Sequence, residues 1–266
     1  MPAKRAYGMD QEFYSWSPIV TRPILRWPEG ARVALVVIVN LEHWDWEVPV
    51  GTPLAVSPMG GPEGIWTGNQ PSFPDIGGYG NHEYGNRVGV FRILAVLDKY
   101  GIKPTLALDK AVADHYPYLV KEGLKRDAEF IAHGLSRRRI IHIGMSEDEE
   151  REYIRDSIEA VEKATGNRPI GWSGPDFQET PNTPNLLAAE GIRYVCDWGN
   201  DEHQIHPRIL IWMNSSDRIS FLLIITEFLK VHGSSIYTVS HLKVRASVKL
   251  SYLSKIASSA LLRFMG

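Results

Sequence analysis

RVALVVIVN, residues 32–40, decides the fold. Seven consecutive aliphatic residues, Val33 to Val39, leave no polar face, so the segment reads as a strand buried on both sides, ending at the polar cluster Asn40 to Glu47. Strands covered on both faces belong to parallel sheets, whose neighbours need a crossover between them. Working outward, helical patterns alternate with short apolar runs. Arg87 to Tyr100 has helical spacing through Val88, Phe91, Ile93, Leu94 and Leu97, with Gly101 as its C-cap. Pro104 to Leu108 reads as a strand, Asp114 to Leu124 as a helix and Glu129 to Ala132 as a third strand. A helix from Ser146 to Thr165 opens on a capping box with Glu149 and closes at Gly166. Pro169 to Trp172 is a fourth strand, Pro184 to Glu190 a helix with Thr183 as N-cap and Pro184 first in the helix, and Ile192 to Cys196 a fifth strand. Five strands alternating with helices predict an α/β domain with a parallel sheet, either a β/α barrel or an open doubly wound sheet. No Gly-x-Gly-x-x-Gly follows the first strand, which disfavours a dinucleotide site.

Two segments lie outside this rhythm. Residues 1–31, with Trp16, Pro18, Pro23, Trp27 and Pro28, read as an irregular arm packing on the domain. Residues 48–86 are rich in Gly and Pro and too long for an ordinary connection, and Trp66, Phe73, Tyr79 and Tyr84 suggest a packed lid.

Composition breaks near residue 207. All 17 prolines lie at or before Pro207, while residues 208–266 hold 11 serines against 8 in the preceding stretch. Residues 1–207 carry 21 Lys+Arg and 29 Asp+Glu, and residues 208–266 carry 8 and 2, so a net −8 is followed by a net +6. The expected organisation is therefore an arm (1–31), a β/α domain (32–207) and an atypical tail (208–266), the last either a small helical appendage or sequence foreign to the domain. The formal net charge of −2 and the lack of a long basic run exclude an electrostatic case for nucleic acid or an anionic membrane as partner. A small-molecule or glycan substrate fits better, and a homo-oligomer stays open. The single Cys196 forms no internal disulfide, and the opening residues lack a signal peptide's apolar stretch, so a cytoplasmic location is expected.

Acids and histidines follow the strands: Glu42, His43 and Asp45, then Asp109, His133, Asp176 with Glu179, and Asp197. In a β/α barrel these positions meet at the C-terminal rim, where active sites are built. Each has a plainer alternative: a rim salt bridge for Glu42, helix capping for Asp109, a turn for Asp197, solvation for Asp176 and Glu179. Trp44, Trp172 and Trp198 lie beside the acids and could wall a sugar or small ring, or simply pack.

NLEHWDWEV (40–48), GNHEYGNRVGVFRIL (80–94), KYGIKPTLAL (99–108), EFIAHGLSRR (129–138) and the run 144–201, which includes WSGPDFQET and YVCDWGND, together resemble the polysaccharide deacetylase, or NodB-homology, family. They are most similar to the branch of cofactor-independent allantoinases and peptidoglycan-deacetylase-like proteins. The resemblance covers about residues 32–205 and implies a distorted barrel of about seven parallel strands, here incomplete at its C-terminal end, that hydrolyses acetamido or cyclic amide C–N bonds. It places Glu42 at the family's first acid and His133 on the first histidine of a His-x-x-x-His metal pair. The second position of that pair is Arg137. A zinc or other divalent site would lose one ligand and face a cation there, so a metal-free site is expected. Were a metal bound, Glu42, His133 and His43 would be its ligands. The resemblance implies Glu42, His133 and Asp197 as catalytic residues, with Trp44, Arg137, Trp172, Asp176 and Trp198 around the substrate. The late histidine that serves the family as general acid has no recognisable counterpart, although His232 and His241 lie in the tail. The expected activity is hydrolysis of an amide bond in an N-acetylated sugar or small cyclic amide. The alternative is an impaired or truncated homologue that binds carbohydrate or has no activity.

Overall fold

In the computed structural model the structure describes residues 13, 16, 18–22, 36–47, 74 and 76–198. The tail 208–266, most of the arm, and Trp66 and Phe73 of the expected lid lie outside them. The elements are β1 (Ile38–Leu41), α1 (Ile76–Tyr84), α2 (Val90–Tyr100), β2 (Thr105–Leu108), α3 (Lys110–His115), α4 (Pro117–Leu124), β3 (Glu129–Ala132), α5 (Glu147–Thr165), β4 (Gly171–Trp172), α6 (Thr183–Ala189) and β5 (Tyr194–Val195).

All pairings are parallel, and the strand order β1-β2-β3-β4-β5 never reverses. With right-handed crossovers, an unreversed order sends every helix to the same face, so the sheet curls as a barrel wall and has no doubly wound switch point. Val37, Val39, Leu41, Leu106, Leu108, Ala132 and Trp172 join the helices in one core. Ile38, Ala107, Ile131 and Cys196 form a smaller cluster on the opposite face, as the two-residue period of a strand requires.

Local chemistry sets the boundaries. The capping box is present as expected, with the Glu149 amide donating to Ser146 Oγ and the Ser146 amide to Glu149 Oε2, while Gly166 ends α5 in the left-handed conformation. The helix expected from Asp114 to Leu124 is two helices, because Pro117 removes a donor and forces Tyr116 out of the helical region (φ −123°, ψ 58°). The first of them starts at Lys110, capped by Asp109. At α6 the N-cap is Asn182, and Thr183 is already helical. Its hydroxyl accepts from the Thr180 amide (2.8 Å) and donates to the fully buried Glu150.

The largest correction concerns residues 76–86, expected within a long loop. They are helical: α1 runs through a π-helical turn, Gly85–Gly89, into α2. The glycines of IGGYGNHEY disfavour a helix, and α1 buries none of its residues. Polar and aromatic contacts hold it instead. His82 lies over Trp44 with ring centroids 4.5 Å apart, Tyr79 meets His43 edge-on, and Tyr116 Oη donates to Glu83.

Gly134, two residues after β3, has φ +71°, and a Cβ there would lie 2.3 Å from Tyr153 Oη and 2.8 Å from Pro175. Gly166 has φ +77° but open space around it. Gly166→Ala should therefore cost about 1–2 kcal/mol for the left-handed backbone alone. Gly134→Ala should cost a further ~1–3 kcal/mol for overpacking. Denaturant midpoints measure both, and equal losses would contradict the close approach at Gly134.

Candidate functional site

Register builds the rim. Leu41, Leu108, Ala132 and Trp172 are aligned across β1 to β4. The next residues continue the ladder, with the Asp109 amide donating to Leu41 O (3.3 Å), His133 to Leu108 O (3.1 Å) and Ser173 to Ala132 O (3.0 Å). Counting by twos from Ile38, Ala107, Ile131 and Gly171, the residues Glu42, Asp109, His133 and Ser173 all fall on the face turned away from the helices.

Glu42 is the focus, only 8% exposed. His133 Nε2 donates to its Oε1 (2.9 Å), and His133 Nδ1 donates to the carbonyl oxygen of Ser173. Both nitrogens of this 1%-exposed ring are thus committed to protein acceptors. The other carboxylate oxygen, Oε2, lies 3.8 Å from His82 Nε2 and 3.6 Å from Arg137 Nε. His82 Nδ1 donates to Gly78 O (3.0 Å), which turns Nε2 toward Glu42. Asn86, in the π-helical turn, donates from Nδ2 to Glu42 O (2.8 Å). Burial pushes the Glu42 carboxyl up, but the His133 hydrogen bond and the charges of Arg137, His133 and His82 outweigh it and hold the pKa at about 2. The group is a carboxylate at neutral pH.

Arg137 is anchored through Nη2 to Asp176 Oδ1 (2.5 Å), and its Nε has no hydrogen-bond partner among the described residues. Asp176 (φ 54°) and the following Phe177 (φ 56°) both occupy the left-handed region, a strained pair of the kind that persists where surrounding contacts over-determine it.

Two other expected residues belong elsewhere. Asp109 accepts from the amides of His43 (2.7 Å) and Val112 (2.6 Å), which fits the plainer reading of a cap. His43 Nδ1 meets Tyr116 Oη (3.2 Å), and the ring also faces His115 and Tyr79. Trp44 remains beside the cluster, stacked near His82 with Arg138 over its ring at 5.3 Å. Trp172 does not line the rim. It is fully buried in the helix-side core, because its position points opposite to Gly171 and Ser173.

Asp197 heads a second group. The Gly174 amide donates to both of its oxygens (2.8 and 2.9 Å), and Trp198 Nε1 donates to Glu179 Oε2 (2.9 Å). Phe13 meets the Trp198 ring edge-on at 5.6 Å. Burial, and then the charge of Glu179, push the Asp197 carboxyl well above the usual range; burial also raises Glu179. The two groups are joined through Ser173, whose carbonyl accepts from His133 and whose side chain bonds Asp197.

His82 and Asn86 were not singled out from the sequence. Their signal was present in GNHEYGNRVG, a His and an Asn one helical turn apart, but the glycines there read as loop.

The residues at Glu42 do not fit a divalent metal. Among the described residues no three His, Cys, Asp or Glu side chains are placed to hold one. Arg137 already brings a cation to the Oε2 side, the second position of the His-x-x-x-His pair has no imidazole, and His43 faces away toward Tyr116. A metal would have to displace the His133 hydrogen bond and meet a guanidinium.

Residues 81–195 match the model of the polysaccharide deacetylase family. A peptidoglycan deacetylase-like protein of Gibberella zeae is 26% identical over 144 residues, 53% of this chain and 42% of that protein. Among solved structures, Puue allantoinase is 28% identical with a TM-score of 0.54, over 66% of this chain and 57% of the other. A protein of Pseudomonas aeruginosa PAO1 described as a probable polysaccharide deacetylase is 27% identical with a TM-score of 0.54, over 66% and 58%. The chain thus spans about half the length of the relatives it matches. Glu42 precedes the matched stretch and is tied to it by its bonds to His133 and Asn86.

Raised carboxyl pKa values make the Asp197–Glu179 pair a liability at high pH: stability present below the unfolded-state values is lost as pH rises through the folded ones. Asp197→Asn keeps an acceptor for Gly174 and removes that loss. Its Tm should match the wild type near about pH 4 and exceed it near about pH 8. A Tm difference that does not change with pH would refute the linkage.

Proposed function

We propose that this chain, whose residues 81–195 match the model of the polysaccharide deacetylase family, hydrolyses a carbon–nitrogen amide bond without a metal, in an N-acetylated sugar or a small cyclic amide. The observation that carries this reading is the Glu42 carboxylate, buried, held ionised and fixed at Oε1 by His133, with Oε2 turned toward His82 and Arg137. Being ionised, this carboxylate can accept a proton from water. Oε2 takes the proton as the water oxygen attacks the carbonyl carbon.

The tetrahedral intermediate needs a donor for its oxyanion, and the Arg137 Nε–H offers one already oriented by the Asp176 bond. His133 is a positioning residue, since both its nitrogens are engaged within the protein. Asp197, held by Gly174 and linked through Ser173, supports the orientation of that histidine. Trp44 and Trp198 flank the two groups and supply apolar walls for a ring. Two carboxylates neutralise Arg137, which favours a neutral acetamido or cyclic amide over an anionic substrate held bidentately by this side chain.

The test is turnover of a panel containing N-acetylated oligosaccharides and allantoin, with and without chelator or added zinc. Chelator should leave turnover unchanged, Glu42→Gln should lower it by about 10²–10⁴-fold, and Arg137→Met by about 10²–10³-fold. Activity that vanishes with chelator and returns with zinc would overturn the metal-free mechanism. Specific glycan binding without turnover would favour a carbohydrate-binding protein instead.

A further inference from the structure

Amide hydrolysis needs a second proton transfer, because the nitrogen leaves only as a protonated amine. Among the described residues, the basic side chains within 4 Å of the Glu42 carboxylate are His133, Arg137 and His82. His133 has both nitrogens engaged by the Ser173 carbonyl and Glu42 Oε1. Arg137 does not give up a proton at any ordinary pH. His82 is the third. Its Nδ1–H is fixed on the Gly78 carbonyl one turn earlier in α1, its ring lies against the Trp44 indole at an interplanar angle of 30°, and its side chain is 10% exposed. The carbonyl accepts only from Nδ1, which leaves Nε2 as the nitrogen that gains or loses a proton, 3.8 Å from Glu42 Oε2.

We propose that His82 is the general acid of this site, a catalytic residue supplied by α1, donating from Nε2 to the leaving nitrogen of the amide. The inference rests on the hydrolytic reading above. Glu42 Oε2 takes one proton from water while the water oxygen forms its bond to the carbonyl carbon. The C–N bond then breaks with its electron pair staying on nitrogen, and that nitrogen takes the Nε2 proton of His82. The proton on Glu42 Oε2 returns to His82 Nε2, so the products are a carboxylic acid and an amine and both side chains recover their starting states. The 3.8 Å separation is too long for a direct hydrogen bond and short enough to be closed by a small ring movement or by the scissile nitrogen itself. Among the described residues, the titratable and charged groups facing His82 are Glu42, His43 and, through the shared carboxylate oxygen, Arg137.

Two variants of the full chain separate proton donation from packing. His82→Asn keeps a donor where Nδ1 meets Gly78, and His82→Gln keeps an amide where Nε2 lies; neither transfers a proton. Both should lose about 10²–10⁴-fold on the amide that the wild type hydrolyses. Both should retain hydrolysis of an aryl acetate ester, whose phenolate leaves without a proton. Equal losses on amide and ester, or loss in only one variant, would reduce His82 to a structural role. Wild-type protein inactive on both amide and ester would instead overturn the hydrolytic reading, and this inference with it. Nitrogen-15 NMR of the wild-type imidazoles gives a check that needs no variant to fold. His82 should show the Nδ1–H tautomer when neutral, and an Nε2–H tautomer would overturn the proposal.

Discussion

Burying the Glu42 carboxylate at the end of β1 strips it of water, and such a charge persists only where hydrogen bonds and opposite charge replace the lost hydration. At Glu42 the replacement comes from three parts of the chain. His133 follows β3, His82 comes from α1 and Arg137 from the loop after His133, while Asn86 holds the backbone carbonyl. Each supporter needs support of its own. His133 leans on Ser173, His82 on Gly78 and Arg137 on Asp176. The left-handed backbone of Asp176 and Phe177 and the tight approach at Gly134 lie in the loops that carry these supporters.

The sheet makes this convergence affordable in geometric terms. Because β1, β2 and β3 pair in register over four residues each, their ends finish at one level, and the following side chains face the same way. A shift of one residue in any strand would turn that strand's rim residue toward the helices. Trp172 shows the consequence, since it lies one position away from Ser173 and is buried among helix-side apolar residues.

Much of this was legible in the chain itself. The apolar runs, the Ser146 capping box, Gly166 and Pro184 are local signals, and they bound elements to within a few residues, whereas the break at Pro117 reads through in the sequence as one helix. Glu42, His133 and Asp197 could be picked out because they follow strands, and the family resemblance is matched over residues 81–195, the stretch that holds His133. Illegible were the helix at 76–84, whose glycines argue against it and whose stability comes from distant rings, and the direction of Trp172, since a two-residue strand carries no alternation to count.

The sequence by itself determined an α/β domain with a parallel sheet and acids and histidines at its strand ends, because hydrophobic period and capping act over a few residues. Tertiary structure alone decided which of those groups meet. Glu42 and His133 are 91 residues apart, and nothing local distinguishes a partner of that carboxylate from any other histidine. That Arg137 lies at Glu42, that His43 turns away while His82 turns in, and that Asp197 faces Glu179 are consequences of register and helix placement. Electrostatic compensation of a buried charge is decided by distances in space, and the chain acquires those only when it folds.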